Sequence, residues 1–134
     1  MAVLKSDVMA LRDATDVVVS RHRIRELTQE LHFSLVDQTK MITAASELAR
    51  NALIYGGGGV MRWEVLTEGA RTGLRLTFED QGPGIPDLAL AMTDGWTTGN
   101  GLGKGLPGAK RLVNDFDLAS EPNKGTRVTI TRWK

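Results

Sequence analysis

Residues 74–86 read Leu-Arg-Leu-Thr-Phe-Glu-Asp-Gln-Gly-Pro-Gly-Ile-Pro. Leu74, Leu76 and Phe78 alternate with Arg75, Thr77 and Glu79, which predicts a strand with one apolar face, because successive strand side chains point to opposite sides. Asp80 continues the apolar register, so its carboxylate turns the way the apolar side chains do. A carboxylate there needs partners, since burying an unpaired charge is costly. The chain then passes through Gly82-Pro83-Gly84, whose glycines let backbone run close to whatever Asp80 holds. An acceptor-only group beside an apolar floor suits the exocyclic amine of a purine. Taken alone, the same aspartate also suits a turn cap at the end of a strand.

Working outward, Met61–Val65 alternates as a second strand, and residues 2–11 read as a short strand. Residues 14–31 form an amphipathic helix with Val17, Ile24, Leu27 and Leu31 on one stripe. Ser34-Leu35-Val36-Asp37 approximates a capping box. It opens a second helix that runs to about Tyr55 and is stopped by the Gly56–Gly59 turn. Downstream, residues 81–103 read as a long loop with one short helix over 86–93. Lys104–Asp115 reads as a helix, and residues 116–120 and 126–133 as two final strands. The chain shows no repeat and no linker, so residues 1–134 are expected to form one domain. The predicted class is α+β: a two-layer α/β sandwich, its mixed, mostly antiparallel sheet covered on one face by helices.

The composition narrows the chemistry. Seventeen basic and sixteen acidic residues leave a net charge of +1, which argues against a broad nucleic-acid or anionic-membrane footprint. The absence of cysteine excludes disulfide scaffolds, thiolate metal sites and Cys nucleophiles. The only histidines are His22 and His32, with no HExxH motif, so zinc hydrolase chemistry is not expected. No apolar run approaches the roughly 20 residues of a membrane span, and the N-terminus carries charges where a signal peptide has its apolar stretch. The expected location is the cytoplasm, with no membrane and no nucleic-acid partner.

Three further stretches carry candidate chemistry. On the second helix, at about 100° per residue, Glu47 and Asn51 share one face a turn apart. Met41, Ala45, Leu48, Ala49 and Ala52 fill the neighbouring arc, while Thr43 and Arg50 take the opposite flank. A carboxylate can accept a proton and an amide oxygen can ligate Mg²⁺, so the pair suits one shared ligand. The same pair also suits a solvated helix border. Gly99-Asn100-Gly101-Leu102-Gly103-Lys104-Gly105-Leu106 leads into the third helix, and its N–H groups with Lys104 favour an anion. It also suits a flexible loop before a helix. It is not a P-loop, since Thr98 stands where the first Gly belongs and Gly105 follows the lysine. The GxGxxG match at 103–108 follows no apolar strand, so a Rossmann site is rejected. Finally, Thr126 shares a face with Val128 and Ile130 and turns its hydroxyl inward. It is either an ordinary β-branched strand residue or a water-mediated partner of the purine on Asp80.

Taken in order, ELARN (47–51), DQGPGI (80–85), GNGLGKGL (99–106) and KGT (124–126) resemble the N box and the three glycine boxes of the GHKL ATP-binding superfamily. That superfamily takes in gyrase B, MutL, sensor histidine kinases and the anti-sigma-factor serine kinases. The resemblance covers nearly the whole chain and implies the Bergerat ATP-binding fold. There is no helix pair carrying a phosphoacceptor histidine, and His22 lies on the helix before the N box. The residues 45–51, 80–86 and 94–112 are most similar to the small switch serine/threonine kinases of bacterial stressosomes. One departure is Tyr55, where the anti-sigma kinases usually carry His.

The resemblance implies a protein serine/threonine kinase that uses ATP and Mg²⁺. Asn51 then ligates Mg²⁺, Glu47 is the general base, and Asp80 binds the adenine amine with Thr126 helping through water. Gly82 and Gly84, followed by Ile85, shape the adenine floor. Gly101, Gly103 and Gly105 offer N–H groups to the phosphates, with Leu102, Lys104 and Leu106 in the same box. The loop from Asp87 to Asn100 is the lid. The implied partners are STAS-domain scaffold or antagonist proteins bearing the acceptor Ser or Thr, and a downstream effector such as a PP2C-type phosphatase. An alternative is an anti-sigma factor that sequesters a sigma subunit. A third is a purely ATP-dependent binding switch, against which Glu47 argues.

Overall fold

The computed structural model describes residues 1–84, 102–120 and 123–134. Along the chain they form β1 (Ala2–Leu11), α1 (Ala14–Glu30), α2 (Leu35–Ile54), β2 (Gly59–Glu68), β3 (Arg71–Asp80), α3 (Leu102–Arg111), β4 (Asp115–Ser120) and β5 (Thr126–Trp133). The strands make one sheet in the order β1-β2-β3-β5-β4. Every described ladder is antiparallel, so among the described residues the sheet is antiparallel throughout, where the sequence reading expects a mixed one.

The helices form where local signals and burial agree. Asp13 caps α1 by accepting from the Asp16 N–H. Ser34 caps α2, with its hydroxyl accepting the Asp37 N–H at 3.1 Å. Between the two helices, His32 takes φ 59. The His32 N–H bonds to the Gln29 carbonyl and the Phe33 N–H to the Thr28 carbonyl, the pair of bonds that defines a Schellman C-cap. Helix α2 lies across the sheet, in contact with β1, β2, β3 and β5, and is flanked by α1 and α3. Its predicted apolar arc is the buried one: Met41, Ala45, Leu48, Ala49 and Ala52 join Ala44 in the core. They meet Met61, Trp63, Val65, Leu74, Leu76, Phe78, Val128 and Ile130 of the sheet. On the other face, Arg75 clasps the directly opposite Glu64 through two bonds, at 2.9 and 3.1 Å.

Strand β1 spans the predicted residues 2–11 and pairs with β2 from Ala2 to Leu11, while β2 extends beyond the predicted Met61–Val65 at both ends. Helix α3 starts at Leu102 and ends at Arg111 instead of running from 104 to 115. The helical pattern continues past Arg111, but β5 captures the chain: the Asn114 N–H bonds to the Thr131 carbonyl and Asp115 pairs with Thr131. The expected short helix at 86–93 and the lid at 87–100 lie outside the described residues.

Candidate active site

Asp80 ends β3 with Gly59 of β2 on one side and Thr126 of β5 on the other. Its Oδ1 accepts the Gly82 N–H at 2.9 Å. Partial burial pushes the carboxyl pKa up, and N–H donation from Gly82 and Thr126 pulls it partly back. The described partners are backbone donors, so the charge keeps acceptor capacity for an incoming N–H. Backbone crowds Asp80 closely: a methyl group on Gly56 would lie 2.3 Å from its Cγ, and one on Gly125 would lie 2.0 Å from its carbonyl oxygen. Gly125 itself has φ +87, a conformation that an L side chain rarely adopts.

Thr126, directly opposite Asp80, places its hydroxyl 3.1 Å from Ser120 Oγ, and Ser120 in turn donates to the Gly125 carbonyl at 2.9 Å. Ser120 was not singled out by the sequence, since a serine at the end of a strand carries no signal of its own. A cleft of about 280 Å³ opens here, lined among the described residues by Asp80, Thr126, Ser120, Lys124, Glu79 and Arg127. Gly84 has φ 77 and Asn123 has φ 65. The Asn123 N–H bonds to the Pro83 carbonyl at 2.7 Å, which ties the turn after β3 to the turn before β5.

Glu47 and Asn51 sit on the border of α2, as the helical spacing requires. Glu47 pairs with Arg50 at 3.0 Å, with side chains 41% and 52% exposed. Such an open pair contributes at most about 1 kcal/mol and separates readily. Asn51 differs: its Nδ2 is buried with no hydrogen-bond partner among the described residues. An unsatisfied buried amide costs roughly 1–3 kcal/mol, and such groups concentrate where a ligand completes the bonding. Rotation about χ2 presents its oxygen instead, which suits a hard cation. Among the described residues, no group of three or more His, Asp or Glu could hold a metal. Asn51 would hold an Mg²⁺ ion together with phosphate oxygens and water, the kind of ligands usual for this ion.

The structure joins the two halves through one residue. The Gly56 N–H reaches the Asn51 carbonyl at 3.4 Å, while the Cα of Gly56 packs against the Asp80 side chain. Leu102, Gly103, Lys104 and Gly105 form the first turn of α3. Their side chains lie outside the described residues, as do Ile85 and Gly101 altogether. Leu106 is 1% exposed, so its side chain belongs to the core and only its backbone is left to meet a ligand.

Residues 36–134 match the family of histidine kinase-, DNA gyrase B- and HSP90-like ATPases. The chain belongs to that family, an ATP-binding domain of the GHKL type. Over 118 residues it is 45% identical to the serine/threonine-protein kinase RsbT of Bacillus subtilis, covering 88% of this chain and 89% of that one. It is also 29% identical over 119 residues to an anti-sigma F factor of Clostridium kluyveri, covering 84% and 82%. Among solved structures, the RsbU and RsbW domains of Rv1364c from Mycobacterium tuberculosis superpose with a TM-score of 0.66 at 18% identity. That match covers 97% of this chain and 33% of the other. The SiaB-SiaC complex from Pseudomonas aeruginosa gives 0.54 at 11%, covering 98% and 91%. Both structural matches bear on the fold alone. The family, the α+β class and the enzyme class expected from the four boxes are borne out, the last by kinship to a serine/threonine-protein kinase. Among the described residues no helix is long and apolar enough to cross a membrane.

Proposed function

We propose that this chain, acting as a single cytoplasmic domain, is a protein serine/threonine kinase that transfers the γ-phosphoryl of Mg-ATP to STAS-domain scaffold or antagonist proteins. Asp80 takes the adenine amine, with Thr126 acting through water and Gly82, Gly84 and Ile85 forming the floor. Backbone N–H groups of Gly101, Leu102, Gly103, Gly105 and Leu106, with Lys104, hold the phosphates. Asn51 holds Mg²⁺, which neutralises phosphate charge when bound. Glu47 takes the proton from the acceptor hydroxyl as its oxygen attacks phosphorus and ADP leaves. Loss of the scaffold contact then frees the kinase for a downstream effector such as a PP2C-type phosphatase.

The observation that supports this reading best is the buried Asn51 amide, without a hydrogen-bond partner among the described residues, one helical turn from the half-exposed Glu47. A proton acceptor open to a protein substrate thus stands beside a buried amide whose bonding the described residues do not complete. The test is radiolabelled transfer from ATP to candidate STAS proteins. Glu47→Gln keeps the shape and removes the base, so it is expected to bind ATP normally while transfer falls by about 10²–10⁴. Equal transfer by variant and parent would refute the base assignment. The 29% identity to an anti-sigma F factor favours a second reading, in which the chain sequesters a sigma subunit. Pull-down against a sigma factor and a STAS scaffold separates the two.

A further inference from the structure

The glycine run after α2 does more than end a helix. Gly57 and Gly58 have φ of +75 and +105, but Gly56 is not among the positive-φ residues. Its backbone conformation is open to any amino acid, so the demand for glycine there is purely steric. A methyl group at Gly56 would lie 2.3 Å from Asp80 Cγ, 2.4 Å from its Cβ and 2.6 Å from Oδ2. Carbon atoms rest at about 3.5–4.0 Å, so any side chain must push the carboxylate away by roughly 1 Å. The other side of Gly56 is equally tight: a methyl group on Gly82 would lie 2.7 Å from the Gly56 Cα. Gly82 also donates its N–H to Asp80 Oδ1 at 2.9 Å. The carboxylate is thus wedged between two backbone segments, one arriving from α2 and one leaving β3.

We propose that Gly56 is a positioning residue that sets base selectivity at this site. It holds the acceptor-only Asp80 carboxylate at the one place where a purine's exocyclic amine can donate to it. The inference rests on the reading of Asp80 as the adenine-binding group. A fixed acceptor favours an amine at the purine 6-position. It repels a carbonyl there, because two acceptors then face each other without a proton between them. Sites built to pair with a polar group reject analogues lacking it far more strongly than apolar pockets reject a change of size. A displaced carboxylate loses that discrimination while the phosphate-binding elements stay as they were.

The test is calorimetric binding of Mg-ATP and Mg-inosine triphosphate to the parent protein and four variants. The parent is expected to prefer ATP. Gly56→Ala should weaken ATP binding about ten- to a hundredfold and leave inosine triphosphate nearly unchanged. Gly57→Ala is the control: it is strained by φ +75 but meets nothing within 4 Å among the described residues, so it should lose stability and keep the ratio. Asp80→Asn should lower the ratio by itself, and adding Gly56→Ala to it should lower the ratio no further. Equal losses for both nucleotides with Gly56→Ala, or an unchanged ratio, overturn the proposal. An unchanged ratio with Asp80→Asn instead overturns the adenine assignment on which it rests. If Gly56→Ala does not fold, Gly56→Ala/Asp80→Gly decides. Recovered folding supports the contact, and continued failure to fold overturns it.

Discussion

Asp80 carries a charge that the fold only partly compensates. Burial raises its pKa, and backbone N–H groups offset this in part. A carboxyl whose folded pKa lies above its unfolded value contributes its stability below the ordinary carboxylate range and loses it as pH rises through the folded value. At neutral pH the Asp80 carboxyl therefore works against the free fold, and its oxygens are available to a donor. Asp80→Asn is expected to bind ATP about ten- to a hundredfold more weakly. The nucleotide-free variant should nevertheless melt higher than the parent at pH 7, with the difference vanishing in acid. Calorimetry and melting curves across pH check both halves. His32 gives a second outcome at this scale. Its φ of 59 places a Cβ where glycine is preferred, so His32→Gly should stabilise the protein by about 0.5–1 kcal/mol in thermal unfolding.

At the level of elements, the spacing of α2 fixed which of its faces is buried, and Ser34 fixed where it begins. The end of α3 was not legible, because Leu112 and Val113 continue a helical pattern that only the pairing of Asn114 and Asp115 with β5 interrupts. Arg132 shows the same limit. It sits on β5, donates to the Leu112 carbonyl at 2.8 Å, and pairs with Asp37 on the first turn of α2. Asp37 is the acidic residue of the capping box, yet its main partner lies 95 positions away. Arg132 holds the Asp37 carboxyl below the usual range, so this stabilisation is present at neutral pH and is lost as pH falls through the folded value. Arg132→Ala leaves the Leu112 carbonyl and the Asp37 carboxylate without that donor. It should cost about 2–3 kcal/mol in urea unfolding and weaken the acid dependence.

For the whole molecule, the described helices form one layer on one face of a five-stranded sheet, and the candidate site lies where α2, β3 and β5 approach each other. A ligand bridging these elements favours the folded state by mass action. Mg-ATP at a hundredfold excess over its Kd should stabilise the parent by about 2.7 kcal/mol, read as a rise in melting temperature. Chelation of Mg²⁺ should remove much of that rise. Asn51→Ala should melt with little difference between the two conditions, and a full Mg²⁺-dependent rise in that variant would refute the metal assignment.

The sequence by itself determined the periodicity of the elements, the inward register of Asp80, the shared helical face of Glu47 and Asn51, and the order of four motifs that marks the family. These are local properties, fixed by 3.6- and 2-residue repeats and by the chemistry of single side chains. Tertiary structure alone decided that Gly56 lies against Asp80, that Ser120 meets the Thr126 hydroxyl, and that Asp37 turns to Arg132. Each joins residues on different elements. A glycine required by a neighbour's carboxylate looks, in a sequence, the same as one required by a turn. Only packing at van der Waals distance tells them apart.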